Sequence, residues 1–189
     1  MSVIPKFELG IWNAWILVLP FLVLDIFGYT ILRKRGAEGF LGLTKKEKML
    51  ESITMVIVGG LYAYSIFLPL RLDIVWFYGG FFLYLLGMAF VLITFHNFIT
   101  TPVDSPVTKG LYRISRNPQY LSEFLIYVSI GIACFSWVFW LVAVIVHIFE
   151  RRFVTAEERI CLHQYGEPYR DYMNKTPRWI GIPKTQEKD

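Results

Sequence analysis

Long apolar stretches separated by short polar connections set the pattern of this chain. The first runs from Ile11 to about Leu32, interrupted only by Pro20 and Asp25. The second runs from about Ser52 to Leu70, and the third from about Ile74 to Phe95. At about 1.5 Å rise per residue, roughly 20 residues cross a hydrocarbon core about 30 Å thick, so each stretch predicts a membrane-spanning helix. Gly59-Gly60 in the second, and Gly79, Gly80 and Gly87 in the third, supply small faces on which helices pack closely. The sequence is again apolar from Gln119 to Phe149. One helix that long would span about 46 Å, too much for a single crossing. Gly131 and Ser136 predict a helical hairpin instead, turning at about Cys134–Trp137, with short arms that reach into the flanking polar residues. The expected fold class is all-α and integral to the membrane, with about five transmembrane helices, the last two as a helical hairpin. It forms one domain: three N-terminal helices over 1–95, then a loop, the hairpin and a helical tail over 96–189.

The polar connections predict orientation. Arg33-Lys34-Arg35 and Lys45-Lys46-Glu47-Lys48 make a basic loop, which the positive-inside rule places in the cytoplasm, with the N-terminus outside. The Phe40-Leu41-Gly42-Leu43 insert is expected at the interface. Pro69–Asp73 carries a single Arg71, as an outer connection should, and Arg151-Arg152 bring the hairpin back to the cytoplasmic side, where the C-terminus stays. Met1–Gly10 lacks the basic and small-residue features of a signal peptide. Asp25, a carboxylate inside an apolar stretch, is either functional or bonded to a neighbouring helix. In the tail, Thr155-Ala-Glu-Glu158 reads as a capping box, with Thr155 at the N-cap and Glu158 at N3. The helix it starts runs to about Tyr165 and is stopped by Gly166. Pro168 then opens a short helix to about Asn174, and Pro177, Pro183 and Lys184 lead out to a polar end.

Composition strengthens the membrane reading: 55% of residues are hydrophobic and 17% aromatic. The net charge of +4 is mild and speaks to orientation, with no nucleic-acid partner implied. Cys134 and Cys161 fall on opposite sides of a membrane segment, so no disulfide is expected, and neither has metal-ligand spacing. Two polar clusters are predicted to share the cytoplasmic face, residues 96–120 and 151–172. In the first, Arg116 and Tyr120 are four apart at the start of a helix whose first turn suits Pro118. Free backbone N–H groups there favour an anion, with Arg116 as a carboxylate or phosphate partner. Glu157 and Glu158 offer the negative counterpart, so a ligand bearing both a carboxylate and an ammonium would complement the two clusters. Plainer roles exist. Arg113 and Arg116 suit positive-inside anchors, Tyr112 and Tyr120 belt aromatics, Glu158 the capping box, and His96 an exposed loop.

The pattern Gly110-x-Tyr112-x-x-x-Arg116-Asn117-Pro118-x-Tyr120, a hydrophobic hairpin, then Glu157-Glu158 and Tyr165-Gly166-x-x-Tyr169-x-x-Tyr172 resembles the isoprenylcysteine carboxyl methyltransferase and phospholipid N-methyltransferase superfamily of membrane enzymes. The resemblance covers roughly residues 90–183. It implies S-adenosylmethionine (SAM) in a cytoplasmic-side pocket built by the last helices and the tail. A lipid-like acceptor would enter from the bilayer, either a prenylcysteine-type carboxylate or a phospholipid amine. Carried over, the cofactor-binding residues are Gly110, Tyr112, Arg116, Asn117, Pro118, Tyr120, Glu157 and Glu158. The isoprenylcysteine enzymes carry His where this chain has Asn117, and an arginine at the place of Phe153; Arg152, just upstream, is the candidate catalytic arginine. Methyl transfer is an in-line displacement that needs alignment and exclusion of water. A carboxylate acceptor needs no base, whereas an amine must lose a proton, for which Glu157, Glu158 or His96 could serve. Glu158-x-x-Cys161 before Tyr165-Gly166 also resembles the C-terminal signature of NADPH-dependent membrane sterol reductases, the second enzyme class to weigh. A non-catalytic scaffold is the third reading.

Overall fold

A computed structural model describes residues 9–34 and 43–181. Except for Leu43, the expected interfacial insert falls outside them, as do Arg35, Pro183 and Lys184 and all but the end of the Met1–Gly10 segment. The described residues form six α-helices and no strand: α1 Trp15–Lys34, α2 Lys45–Ser65, α3 Val75–Ile99, α4 Pro118–Ala133, α5 Trp137–Tyr165 and α6 Glu167–Lys175. A short 3-10 turn, Gly110–Arg113, precedes α4. The all-helical class thus stands. By length and composition, one helix, Val75–Ile99, is apolar enough to cross a membrane, and Trp15–Gly28 is a shorter apolar stretch. Apolar side chains also cover much of the outer surface, among them Val23, Phe27, Val56, Phe82, Leu85 and Val144. At 16 residues α4 is about 24 Å long, a short arm as its sequence implied.

Each helix forms where apolar residues accumulate and stops where the backbone is diverted. Helix α2 starts at Lys45, about two turns earlier than expected. Thr44 caps it through a capping box: its hydroxyl accepts from the Glu47 N–H at 3.3 Å, while the Thr44 N–H donates to the Glu47 carboxylate at 2.7 Å. Lys45–Lys48 are therefore its first turn and not a loop. The box expected at Thr155 does not exist. Thr155 lies inside α5, its hydroxyl donating to the Arg151 carbonyl, because nothing between Phe149 and Tyr165 interrupts the helix. The expected break between hairpin and tail is thus replaced by one continuous 29-residue helix. Its end is where the sequence put it, at Gly166 with φ +62°.

The core lies where α4 meets α3 and α5, with Tyr84, Ile126, Ile130, Phe139 and Val146 all buried. A Cβ on Gly80 would meet the Ala133 nitrogen at 2.5 Å and the Ser129 carbonyl at 2.7 Å, so α3 and α4 approach backbone to backbone there. Gly59, Gly60 and Gly79, expected to act the same way, face open space. At the opposite end, the start of α1 is tied to the α2–α3 connection: the Ala14 N–H donates to Leu68 O and the Asn13 side chain to Ile66 O.

Candidate active site

Helices α1 to α6 leave a cavity of about 390 Å³, within the size range of ligand pockets. The start of α4 and the preceding turn supply Tyr112, Arg116, Asn117, Gln119 and Tyr120 to its wall. Glu157 and Cys161 come from α5, Tyr169 and Tyr172 from α6. On the other side stand Asp25 and Gly28 of α1, Glu51 of α2, and Phe95, Phe98 and Ile99 of α3.

The Arg116 motif is held by the chain's own tail. Residues 176–181 fold back over it: the Arg116 N–H donates to Pro177 O at 3.0 Å, and the Ser115 hydroxyl and Asn117 amide both donate to Arg178 O, at 3.2 and 3.0 Å. Asn117 thus acts as a brace, donating its own N–H to the Ser115 hydroxyl. Gly110 turns with φ +58° against the Asn97 side chain, leaving no room for a Cβ. Tyr172 reaches back to donate to the Tyr112 carbonyl at 2.7 Å. Trp179 lies against the His147 ring at 5.0 Å, fixing the tail on α5.

Burial separates the two adjacent glutamates. Glu158 is 3% exposed and bridges Arg116 at 3.0 Å and Arg178, whose Nε donates at 3.2 Å. Its charge is consumed inside the protein. Glu157 faces the cavity, accepting from the Tyr120 hydroxyl at 2.7 Å. Crowding by the protein on its other sides raises its pKa to about 7, burial outweighing the lowering effect of that hydrogen bond. The Arg116 side chain is nine-tenths buried; it donates to Glu158 and to Met173 O, yet its Nε has no acceptor. That Nε is itself fully buried, so what Arg116 offers the cavity is the positive charge of its guanidinium, suited to an anionic ligand group. Burial pushes the Cys161 thiol up to about 12, so it stays protonated and is no nucleophile.

Of the residues singled out in the sequence, Tyr112, Arg116, Asn117, Tyr120 and Glu157 come together on one cavity. Gly110, Pro118 and Glu158 lie behind it, shaping or supporting the wall. His96, on the last turn of α3, and Arg152 on α5 are exposed and do not line the cavity. Arg152 misses it because Phe153, the next residue of the helix, takes the cavity-facing position. Sequence reasoning missed Arg178, read as a lead-out; the signal was a cation set between Pro177 and Trp179, residues that stiffen and anchor a strap. It also missed Glu51, which lies just before the expected second span and inside α2.

No curated protein matches the chain. The phospholipid methyltransferase family model matches residues 48–168, nearly two thirds of the chain and the stretch that contains Arg116, Tyr120 and both glutamates. The chain belongs to the phospholipid methyltransferase family.

Proposed function

We propose that the protein is an integral membrane methyltransferase that uses SAM as methyl donor and a lipid amine as acceptor. The observation that carries this reading is that Arg116 and the Tyr120-bonded carboxyl of Glu157 line one cavity. Those two groups match the carboxylate and ammonium of an amino-acid ligand, and Tyr112, Tyr169 and Tyr172 supply aromatic surface beside them. Glu158 takes no part in that contact, being consumed by Arg116 and Arg178; it holds the Arg116 guanidinium in place. The donor supplies an electrophilic methyl group on a sulfonium. The protein aligns the acceptor nitrogen with it and keeps water out.

The charges favour an amine over a carboxylate. Asp25, Glu51 and Glu157 line the cavity, while the cation on its wall, Arg116, is balanced by Glu158. An anionic acceptor would meet carboxylates on three helices. An ammonium finds counter-charge, and a cavity carboxylate can take the proton released before the nitrogen attacks. The same lining opposes the phosphates of NADPH. Asp25, Gly28 and Phe95 lie on apolar helices, so the acceptor reaches this end from the bilayer. We place the cavity on the cytoplasmic side of five membrane helices, from the basic residues around α2 and α5. Calorimetry in detergent tests the donor end. Arg116→Lys keeps a cation for Glu158 but removes the planar guanidinium from the cavity wall, and Glu157→Gln removes the carboxylate. Both should weaken SAM binding about tenfold or more; unchanged affinity in both, or binding of NADPH in its place, refutes the assignment.

A further inference from the structure

Asp25 is the one charged group in the apolar Trp15–Gly28 stretch, and it lines the cavity from a helix outside the family-matched residues 48–168. Among the described residues it has no ion-pair partner. A carboxylate at membrane depth with no cation beside it is costly and persists where it has a task. Its surroundings narrow that task. Gly28, one turn further along α1, also lines the cavity, and a Cβ there would run into the Phe95 ring, so α1 is seated closely on α3 beside Asp25. Asp25 and Glu123 of α4 are close enough for their charges to interact, and the Gln119 amide donates to Glu123 at 3.0 Å. The cavity that Asp25 lines is also lined by Arg116, so it carries a cation for the anionic group of a ligand at its other wall.

We infer that Asp25 is the residue that seats the ammonium of the acceptor and so selects lipid amines over lipid carboxylates. This rests on the methyltransferase reading and adds a residue to it. Glu157 and Arg116 are committed to the amino-acid end of the donor, which leaves Asp25 and Glu51. Glu51 stands near Lys48 in the polar start of α2, whereas Asp25 lies among apolar residues that a lipid can pass and is placed to meet the second cation. Asp25 is a positioning residue: it sets where the nitrogen sits and how strongly it is held, and it has no covalent part in the transfer.

The test uses the full chain in lipid nanodiscs containing phosphatidylethanolamine, with labelled SAM, and the same discs carrying S-farnesylcysteine as the carboxylate acceptor. Asp25→Asn should raise the KM for the amine lipid at least about tenfold, the size of a lost charge-assisted hydrogen bond, while kcat moves little and the SAM Kd stays as in the wild type. Short-chain phosphatidylcholine, with its quaternary ammonium, should inhibit the wild type competitively and lose potency against Asp25→Asn. A KM within about twofold of wild type, with inhibition intact, overturns the inference and leaves the methyltransferase reading standing. Should Asp25→Asn lose SAM affinity as well, Asp25→Glu decides: a KM restored with the charge supports the seat, and an equal loss overturns it. A wild type that methylates the farnesylcysteine and no amine overturns both readings.

Discussion

The protonation of Glu157 should be visible in the affinity for the donor. With a pKa of about 7 and the cavity carboxyl as the ammonium's partner, the binding-competent form is the ionised one. The sign follows from the direction of the shift: a carboxyl raised above its ordinary range is protonated, and neutral, over a window where a free glutamate is already charged. About 9% of the protein is ionised at Glu157 one pH unit below that pKa and about 50% at it, so the apparent Kd for SAM should fall about fivefold between about pH 6 and pH 7. The ligand's own α-amino group is about half deprotonated near pH 8, so affinity should level off and then decline, giving an optimum at about pH 7.5. Glu157→Gln removes the charge and keeps the shape. It should abolish the rising limb and weaken binding at the optimum by about 1.5–3 kcal/mol, the worth of a hydrogen bond to a charged group. Tyr120→Phe removes the hydrogen bond that lowers the Glu157 pKa, so the rising limb should move to higher pH. The assay is isothermal titration with SAM in detergent at several pH values, in buffers of matched ionisation enthalpy. A Kd that is flat between about pH 6 and pH 8 in the wild type, or equal in Glu157→Gln, refutes the assignment.

Other outcomes follow from the same geometry. Glu158→Ala leaves the buried Arg116 guanidinium without its counter-charge and should cost about 3–5 kcal/mol, read as a large fall in the unfolding midpoint in detergent. Arg178→Ala should cost much less through the ion pair, since its side chain is 41% exposed, but should loosen the tail strap, read as faster proteolysis of residues 176–181. Gly80→Val should cost about 1–3 kcal/mol or more, because its Cβ would strike backbone atoms of α4. Gly60→Ala, in open space on a helix, should be neutral or stabilising by up to about 1 kcal/mol, with the two compared by thermal unfolding.

What could be read in advance, and what could not, divides along physical lines. The α4–α5 turn was legible because a run too long for one crossing must fold, and Gly131 and Ser136 offered the place; the chain turns at Cys134–Ser136, with Phe135 at φ +52°. The stop at Gly166 was legible because a glycine after a helical run takes positive φ at little cost. The capping boxes were not. Thr44-x-x-Glu47 and Thr155-x-x-Glu158 carry the same local signal, and only the first stands at a helix start, since Arg151–Phe153 continue the helix through the second. The glycines failed for a similar reason: a small residue permits close approach, but which face meets a neighbour is set by the packing of other helices, so Gly80 is crowded and Gly59-Gly60 are not. Arg178 was hidden because its function lies in a long-range contact, twenty residues beyond the glutamate it pairs with.

The adjacent glutamates show why a motif does not assign roles by itself. Successive residues on an α-helix point about 100° apart, so two neighbours cannot face one ligand equally. On α5 that rotation sends Glu158 into the protein and Glu157 toward the cavity, and their environments then diverge. Glu158 has arginines on both sides and a carboxylate fixed by them; Glu157 has one tyrosine hydroxyl and a wall open to ligand. The pair therefore works in series. Glu158 fixes Arg116 by neutralising it through Nη2, while Nη1 donates to Met173 O. Glu157, uncompensated by any arginine, supplies the negative charge that a cationic ligand needs. Replacing either by its amide removes one formal charge, yet Glu158→Gln should release an Arg116 charge into the cavity and favour anions, while Glu157→Gln should weaken cations. Binding of SAM measured against that of its deaminated analogue would separate the two. Equal losses in both variants for both ligands would mean that the glutamates share one role after all.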